Sequence, residues 1–319
     1  MIQKPILTEN QKSFILSARQ TIQSIITGKD ERKQLLIIGP CSIHNVDEAL
    51  TYAQNLVQLQ EKVKNSFFIV MRVYIEKPRT ALGWRGFLFD PHLDESFAIE
   101  EGITQTQKLF SDITDLHIPI AVEVLTPQLV PYYSEYVSWA SIGARTIESQ
   151  VHRELASSLP FPVGLKNATS GDIQAAINAQ KASQVSHIVT DIDEQNHCIF
   201  TKTQGNPCPH IILRGGKNPN YDDGSIAQAY LAQQPLTHKV IVDCSHANSQ
   251  KDYIKQLPIL KEVYQSPKIS YVAGFMIESY INSGAQKLPP QEYGVSVTDP
   301  CIGWEETVEC IEELCQEKK

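Results

Sequence analysis

No apolar run in the 319-residue sequence approaches the roughly 18 residues that suggest a membrane span. The opening stretch MIQKPILTENQKSFILSARQ has no uninterrupted apolar core and no small-residue cleavage site. No signal peptide is therefore expected, and the cytoplasm is the expected compartment. Positive charge is in deficit: 28 Lys and Arg stand against 36 Asp and Glu, a formal net charge of -8. That balance disfavours sequence-independent nucleic-acid binding, which needs a basic footprint. Low-complexity segments, internal repeats and linker-like stretches are missing, so the expectation is one domain over 1–319. Cysteine is present but unpatterned, with seven residues at 41, 198, 208, 244, 301, 310 and 315. An odd count in a chain this long does not look like a disulfide framework and favours reduced thiols, most of them small buried hydrophobes. What is there is ordinary globular composition, 42% apolar and 20% charged, which argues against disorder.

Short β-branched apolar runs alternate with helical patterns. The candidate strands are Leu35–Ile38, Phe67–Val73, Ile120–Leu125, Trp139–Ile142, Val163–Leu165, His187–Thr190, Ile211–Leu213, Val240–Val242 and Tyr271–Ile277. They are continuous rather than alternating, as parallel strands buried on both faces are. A first helix is expected over about Phe14 to Ile26, ending at Gly28. Asn45 and Glu48 have capping-box spacing before Ala49, Tyr52, Ala53 and Leu56. Asp172 is a candidate cap for a helix carrying Ile173, Ala176 and Ile177, and Val308, Ile311 and Leu314 mark a last helix. Repeated βα units at this length fit a closed eight-stranded barrel or an open doubly wound sheet. The run at His187 is the odd one out. With Cys198–Thr201 it reads as a hairpin, and removing it leaves eight strands.

Reactive residue types recur just after these strands, where a parallel barrel opens its functional rim. One set is basic: Arg72, Lys77, Arg79, Arg145, Lys166, Arg214 and Lys217. If they converge, they form a positive well for a phosphorylated or carboxylated anion. Gly215 and Gly216 would allow a phosphate close to the backbone. Taken singly, each is an ordinary solvated charge. The other set is Cys41, His246, Glu278 and Asp299, a thiol, an imidazole and two carboxylates suited to Mn, Fe, Co or Zn. No local spacing announces such a site. Cys41 reads equally as a buried structural thiol and His246 as a satisfied core histidine. Cys208 and His210 flank Pro209, but two ligands do not make a site, and they read as loop and strand-start residues.

The strings GPCSIH, MRVYIEKPRT with GWRG, DPHLDES, IGARTIESQVHRELAS, HIILRGGKNPNY, DCSHANSQKD, MIES and SVTDPCIGWEET resemble those of type I 3-deoxy-D-arabino-heptulosonate 7-phosphate (DAHP) synthases. The resemblance runs in order from the first helix to the last. It implies a (β/α)8 TIM barrel with an N-terminal helical extension over 1–34 and an inserted β-hairpin over 187–202. It implies condensation of phosphoenolpyruvate with erythrose 4-phosphate, with release of phosphate, at the head of the shikimate route to aromatic amino acids. It also implies one divalent metal and a homodimer or homotetramer. Carried over motif by motif, the metal ligands are Cys41, His246, Glu278 and Asp299. Phosphoenolpyruvate falls to Arg72, Lys77, Glu123, Arg145, Lys166, Arg214 and His246, with backbone donors at Gly143 and Ala144. The phosphate of erythrose 4-phosphate falls to Arg79 and Thr80. Lys77, Lys166 and His246 form the catalytic set, with Lys77 the hypothesised proton donor to the developing alkoxide. Cys301 is a candidate partner for an inactivating disulfide with Cys41, an idea that reductant-insensitive activity after air exposure would count against.

The chain departs from the family where regulated members hold an aromatic amino acid. VLTPQLVPYYSEYVSW displaces the Pro-Gln pair, Pro160 stands where Ser is usual, and the hairpin lacks the Gly-His-Ser stretch. The resemblance therefore carries over no choice among Phe, Tyr and Trp. Three rival readings are another aldose phosphate as co-substrate, a non-catalytic regulatory paralogue and a barrel metallohydrolase. The paralogue would have lost a metal ligand or substrate Arg, and none is missing. The hydrolase would gather several His ligands, and only His246 falls in the cluster.

Overall fold

Helix α1 (Glu9–Ile26) begins earlier than its apolar period alone suggests, because a capping box sits ahead of that period. The Thr8 hydroxyl accepts the Gln11 N–H at 3.2 Å, and the Gln11 side chain accepts the Thr8 N–H at 3.0 Å. Gly28 ends the helix with φ at +72°, a conformation glycine takes without a Cβ penalty. The structure, a computed structural model, describes residues 2–193 and 195–317.

From there strands and helices alternate. They run β1 (Gln34–Gly39), α2 (Val46–Val63), β2 (Phe67–Arg72), α3 (Ile99–Asp115), β3 (Ile120–Glu123), β4 (Val137–Ile142), α4 (Gln150–Ser158), β5 (Val163–Lys166) and α5 (Gln174–Gln184). Next come β6 (Ile188–Ile192), β7 (Cys198–Lys202), β8 (Pro209–Leu213), α6 (Asp223–Leu231), β9 (Val240–Asp243), α7 (Gln256–Tyr264), β10 (Val272–Glu278) and α8 (Trp304–Glu317). Between β3 and β4 two short 3-10 turns replace a helix, and Pro131 inside the first of them cannot donate to an α-helical ladder. Asn45 caps α2 through the Glu48 N–H. Asp172 accepts from Gln174 instead of capping α5, whose N-cap is Ile173.

Eight parallel strands close into a barrel in the order β1-β10-β9-β8-β5-β4-β3-β2. The first and last strands are direct neighbours, with Gly39 opposite Glu278. The spare run is β6, which pairs antiparallel with β7 outside the barrel. Both faces of the barrel strands are buried, which is why their runs are continuous. Leu35, Ile37, Val70, Ala121, Trp139, Ile212, Ile241 and Met276 form an inner cluster, joined by Ile22, Ile25 and Ile26 of α1. Leu36, Ile38, Ile69 and Met71 belong instead to the layer shared with the surrounding helices. Within the inner cluster Trp139 Nε1 donates to His210 Nε2 at 3.1 Å, so His210 and its buried neighbour Cys208 belong to barrel packing.

Candidate active site

A cavity of about 260 Å³ opens among the C-terminal ends of the barrel strands. Its basic wall carries Arg72, Lys77, Arg79, Arg145, Lys166 and Arg214. Arg72 is the last residue of β2 and is buried. One of its Nη groups donates to Glu278 at 2.9 Å, and its guanidinium lies 4.0 Å from the centre of the Tyr74 ring. Its Nε and other Nη are buried without a partner, as is Nε of Arg214. Lys166 ends β5 and donates to Asp243 at 2.8 Å. Burial pushes against ionisation of Asp243, but His246 and Lys166 outweigh it and hold the carboxyl well below the ordinary range. Gly143 follows β4, and a Cβ there would collide with the Glu123 carboxylate. Side-chain bulk at that position would displace Glu123 from the cavity wall.

Glu278 and Asp299 also line the cavity, and the fully buried Cys41 thiol lies 3.6 Å from Asp299 Oδ2 without lining it. One ligand atom each from Cys41, Glu278 and Asp299 falls within a mutual 4.8 Å. His246 stands at the margin of this group, its Nε2 3.9 Å from Glu278 Oε1. Its Nδ1 lies 2.9 Å from Asp243 Oδ2, although the ring is angled outside hydrogen-bond geometry. Lys77 bridges the two halves, donating to Cys41 Sγ at 3.0 Å and to the Cys41 carbonyl at 3.1 Å. Burial pulls the Lys77 ammonium down, but Cys41 and Glu278 outweigh it and hold its pKa above the ordinary value. Burial raises the Glu278 carboxyl, yet His246, Arg72 and Lys77 bring it to about 2. Burial and Glu278 push the Cys41 thiol up to about 11 against the pull of Lys77. Two carboxylates, a thiol and an imidazole from converging strand ends fit a divalent first-row cation in donor chemistry. The Cys41 N–H donates to Cys301 Sγ at 3.3 Å, so the two cysteines are neighbours, both free.

Most of the sequence candidates meet here. Glu123, Gly143 and Ala144 line the cavity with the six basic residues, His246, Glu278 and Asp299. Thr80 is exposed beside Arg79 and does not line it, and Lys217 is exposed away from it. Gly215 and Gly216 do not face the cavity. Their missing side chains admit Asn248 and Gly171 instead, which packs two loops together. Sequence reasoning passed over Tyr74, Asp243 and Ser245. Ser245 donates to Glu278 at 2.8 Å. Asp243 stands in the DCSH string beside His246, and its place as the last residue of a buried strand was the available signal.

The sequence profile of the DAHP synthetase I family matches residues 8–312. The chain belongs to that family. It is 44% identical to the phospho-2-dehydro-3-deoxyheptonate aldolase, Tyr-sensitive, of Escherichia coli K12, over 98% of this chain and 89% of that enzyme. It is 43% identical to the Phe-sensitive enzyme of the same strain, over 100% and 93%. The Trp-sensitive enzyme of that strain is 40% identical over 97% and 90%. A solved phospho-2-dehydro-3-deoxyheptonate aldolase from Francisella tularensis SCHU S4 superposes with a TM-score of 0.92 at 39% identity, covering 98% of this chain and 94% of that one. Relatives carrying three different sensitivities are nearly equidistant, so family membership does not choose an effector.

Proposed function

We propose that this chain is a DAHP synthase, condensing phosphoenolpyruvate and erythrose 4-phosphate with water to give DAHP and phosphate. One observation supports the reading most directly. Arg72 and Arg214, which carry buried guanidinium N–H groups without protein acceptors, line the same cavity as Glu278 and Asp299 of the thiol–carboxylate group. A buried charged donor left unpaired is costly, and the oxygens of an anionic substrate would satisfy these. Arg72, Lys166, Arg214 and Arg145 then hold the phosphate and carboxylate of phosphoenolpyruvate, assisted by Glu123, His246 and the backbone at Gly143 and Ala144. Arg79, already anchored by donating from Nε to the Trp84 carbonyl at 2.7 Å, takes the sugar phosphate with Thr80 at the lip.

Cys41, His246, Glu278 and Asp299 would hold one divalent cation, Mn, Fe, Co or Zn, which when bound supplies Lewis-acid polarisation of the aldehyde. The rest follows from the chain's own groups. The basic wall neutralises both substrates and fixes C3 of phosphoenolpyruvate against the aldehyde carbon. As that C–C bond forms, Lys77 gives its proton to the developing alkoxide. Water adds at C2 and the resulting hemiketal phosphate collapses to release phosphate. We also read the protein as a cytoplasmic homodimer or homotetramer. Its seven cysteines are all free, in keeping with a reducing compartment. No helix among the described residues is long and apolar enough to cross a membrane.

The test is loss of phosphoenolpyruvate absorbance on adding erythrose 4-phosphate, run with chelator and then with Mn restored. Consumption should need both the sugar phosphate and the metal. Lys77→Met should lose turnover by at least about a hundredfold. Near-normal turnover in that variant at saturating substrates would end its role as proton donor. No consumption by the wild type under reducing, metal-replete conditions would end the synthase reading.

A further inference from the structure

The basic residues assigned so far follow β2, β4, β5 and β8. One more lysine lines the cavity, in the turn after β9: Lys251. Barrel order places β9 beside β10 and β2 beside β1. The thiol–carboxylate group on β1 and β10 is therefore flanked by Lys77 and Arg79 on one side and by the Lys251 turn on the other.

Lys251 differs from the other cavity lysines. Lys77 is engaged with Cys41 and Lys166 with Asp243. Among the described residues the Lys251 ammonium has no hydrogen-bond acceptor and no ion-pair partner, and the residue is exposed. Nor is the turn a loose one. Asn248 donates to the Leu213 and Asp243 carbonyls at 3.1 and 2.8 Å, and the Lys251 N–H returns to the His246 carbonyl at 2.7 Å. That closure holds His246, Gln250 and Lys251 at φ of +55°, +55° and +63°. Side-chain-bearing residues avoid this region, and glycine would occupy it freely. The chain instead places two long polar side chains there, beside a ring that belongs to the site. Backbone of this kind persists where the surroundings over-determine it, commonly at functional sites.

We propose that Lys251 is a substrate-binding residue, whose ammonium engages a phosphomonoester at the cavity mouth. This rests on the synthase reading, in which both substrates carry such a group. The phosphate could be that of phosphoenolpyruvate or that of the aldose, and the experiment separates the two.

The full chain is compared with Lys251→Ala, Lys251→Arg and Lys251→Gly. Calorimetric titration with phosphoenolpyruvate and with inorganic phosphate reads binding without turnover, and steady-state kinetics reads KM for each substrate. Lys251→Ala and Lys251→Gly should weaken one phosphate-bearing substrate about tenfold, with kcat within about twofold, as loss of a charge-assisted hydrogen bond implies. Lys251→Arg should restore most of the loss. A rise confined to phosphoenolpyruvate or to erythrose 4-phosphate identifies the group engaged. Unchanged binding and unchanged KM for both substrates in Ala and Gly would overturn the proposal. So would a loss in Ala that Gly repairs, because the turn rather than the ammonium would then be responsible. A wild type without turnover would sink the synthase reading, while the phosphate titrations would still judge Lys251.

Discussion

Glu76 sits one residue before Lys77 and is only 2% exposed. It accepts from the Thr126 hydroxyl at 2.6 Å and the Tyr133 hydroxyl at 3.4 Å, which ties the segment after β2 to the turns after β3. Burial pushes its carboxyl from 4.5 up to about 7, against the downward pull of those hydrogen bonds. The folded protein therefore keeps a proton that the unfolded chain releases near 4.5. The associated stability is complete below that pH and is lost as pH rises through about 7. Glu76→Gln keeps the shape and removes the titration. Between about pH 5 and about pH 8 the wild type should lose roughly 3 kcal/mol relative to the variant, read from urea unfolding at each pH. An equal gap at both pH values would mean that Glu76 does not titrate in this range. The site's ionisable residues were legible in the sequence because most stand directly after strands. Lys251 was not, because it lies at the far end of a turn and its place at the mouth depends on three left-handed backbone positions. Sequence spacing carries no sign of them.

Elements were legible where their apolar period coincides with their ends, and less so where polar chemistry sets the boundary. Helix α1 shows the difference. Its buried residues Ile15, Ala18, Ile22 and Ile25 announce the helix, but Thr8 and Gln11 decide where it starts. Gln11 does more than cap, since its amide donates to Ser111 and Asp115 of α3, each at 2.9 Å. Thr8→Ala should cost about 1 kcal/mol, the usual worth of a hydroxyl cap. The expected signature is a lower urea midpoint with kcat unchanged, because neither Thr8 nor Gln11 lines the cavity. A fall in kcat without loss of stability would show that α1 reaches the site by another route. The segment after β3 is the other case: with proline at 127 and 131 it makes two 3-10 turns where a βα repeat would place a helix.

At the scale of the whole molecule, counting strands left eight buried runs once the hairpin is set aside, which a closed barrel accommodates. The choice over an open sheet came from the family resemblance, and the closed order of eight parallel strands agrees with it. The hairpin's surroundings could not be read that way. Its register puts Ile188, Ile192 and Phe200 on one face, where they are 64%, 68% and 71% exposed. A two-stranded ribbon with such a face is poorly stable alone, and the homo-oligomer proposed above would cover it. Phe200→Asp with Ile192→Asp should lower the mass measured by sedimentation equilibrium by half or more. An unchanged mass would take the hairpin out of the assembly. The pairing of β1 with β10 has a further consequence, one of timing. Cys41 is made early and Glu278 and Asp299 very late, and the three meet only at the seam where the barrel's first and last strands join. A chain still on the ribosome, or one cut short before residue 278, could carry every basic residue of the well and still lack the place where a cation could sit. On that proposal the cation's place is completed only after the last strand, when Asp299 joins Cys41 and Glu278.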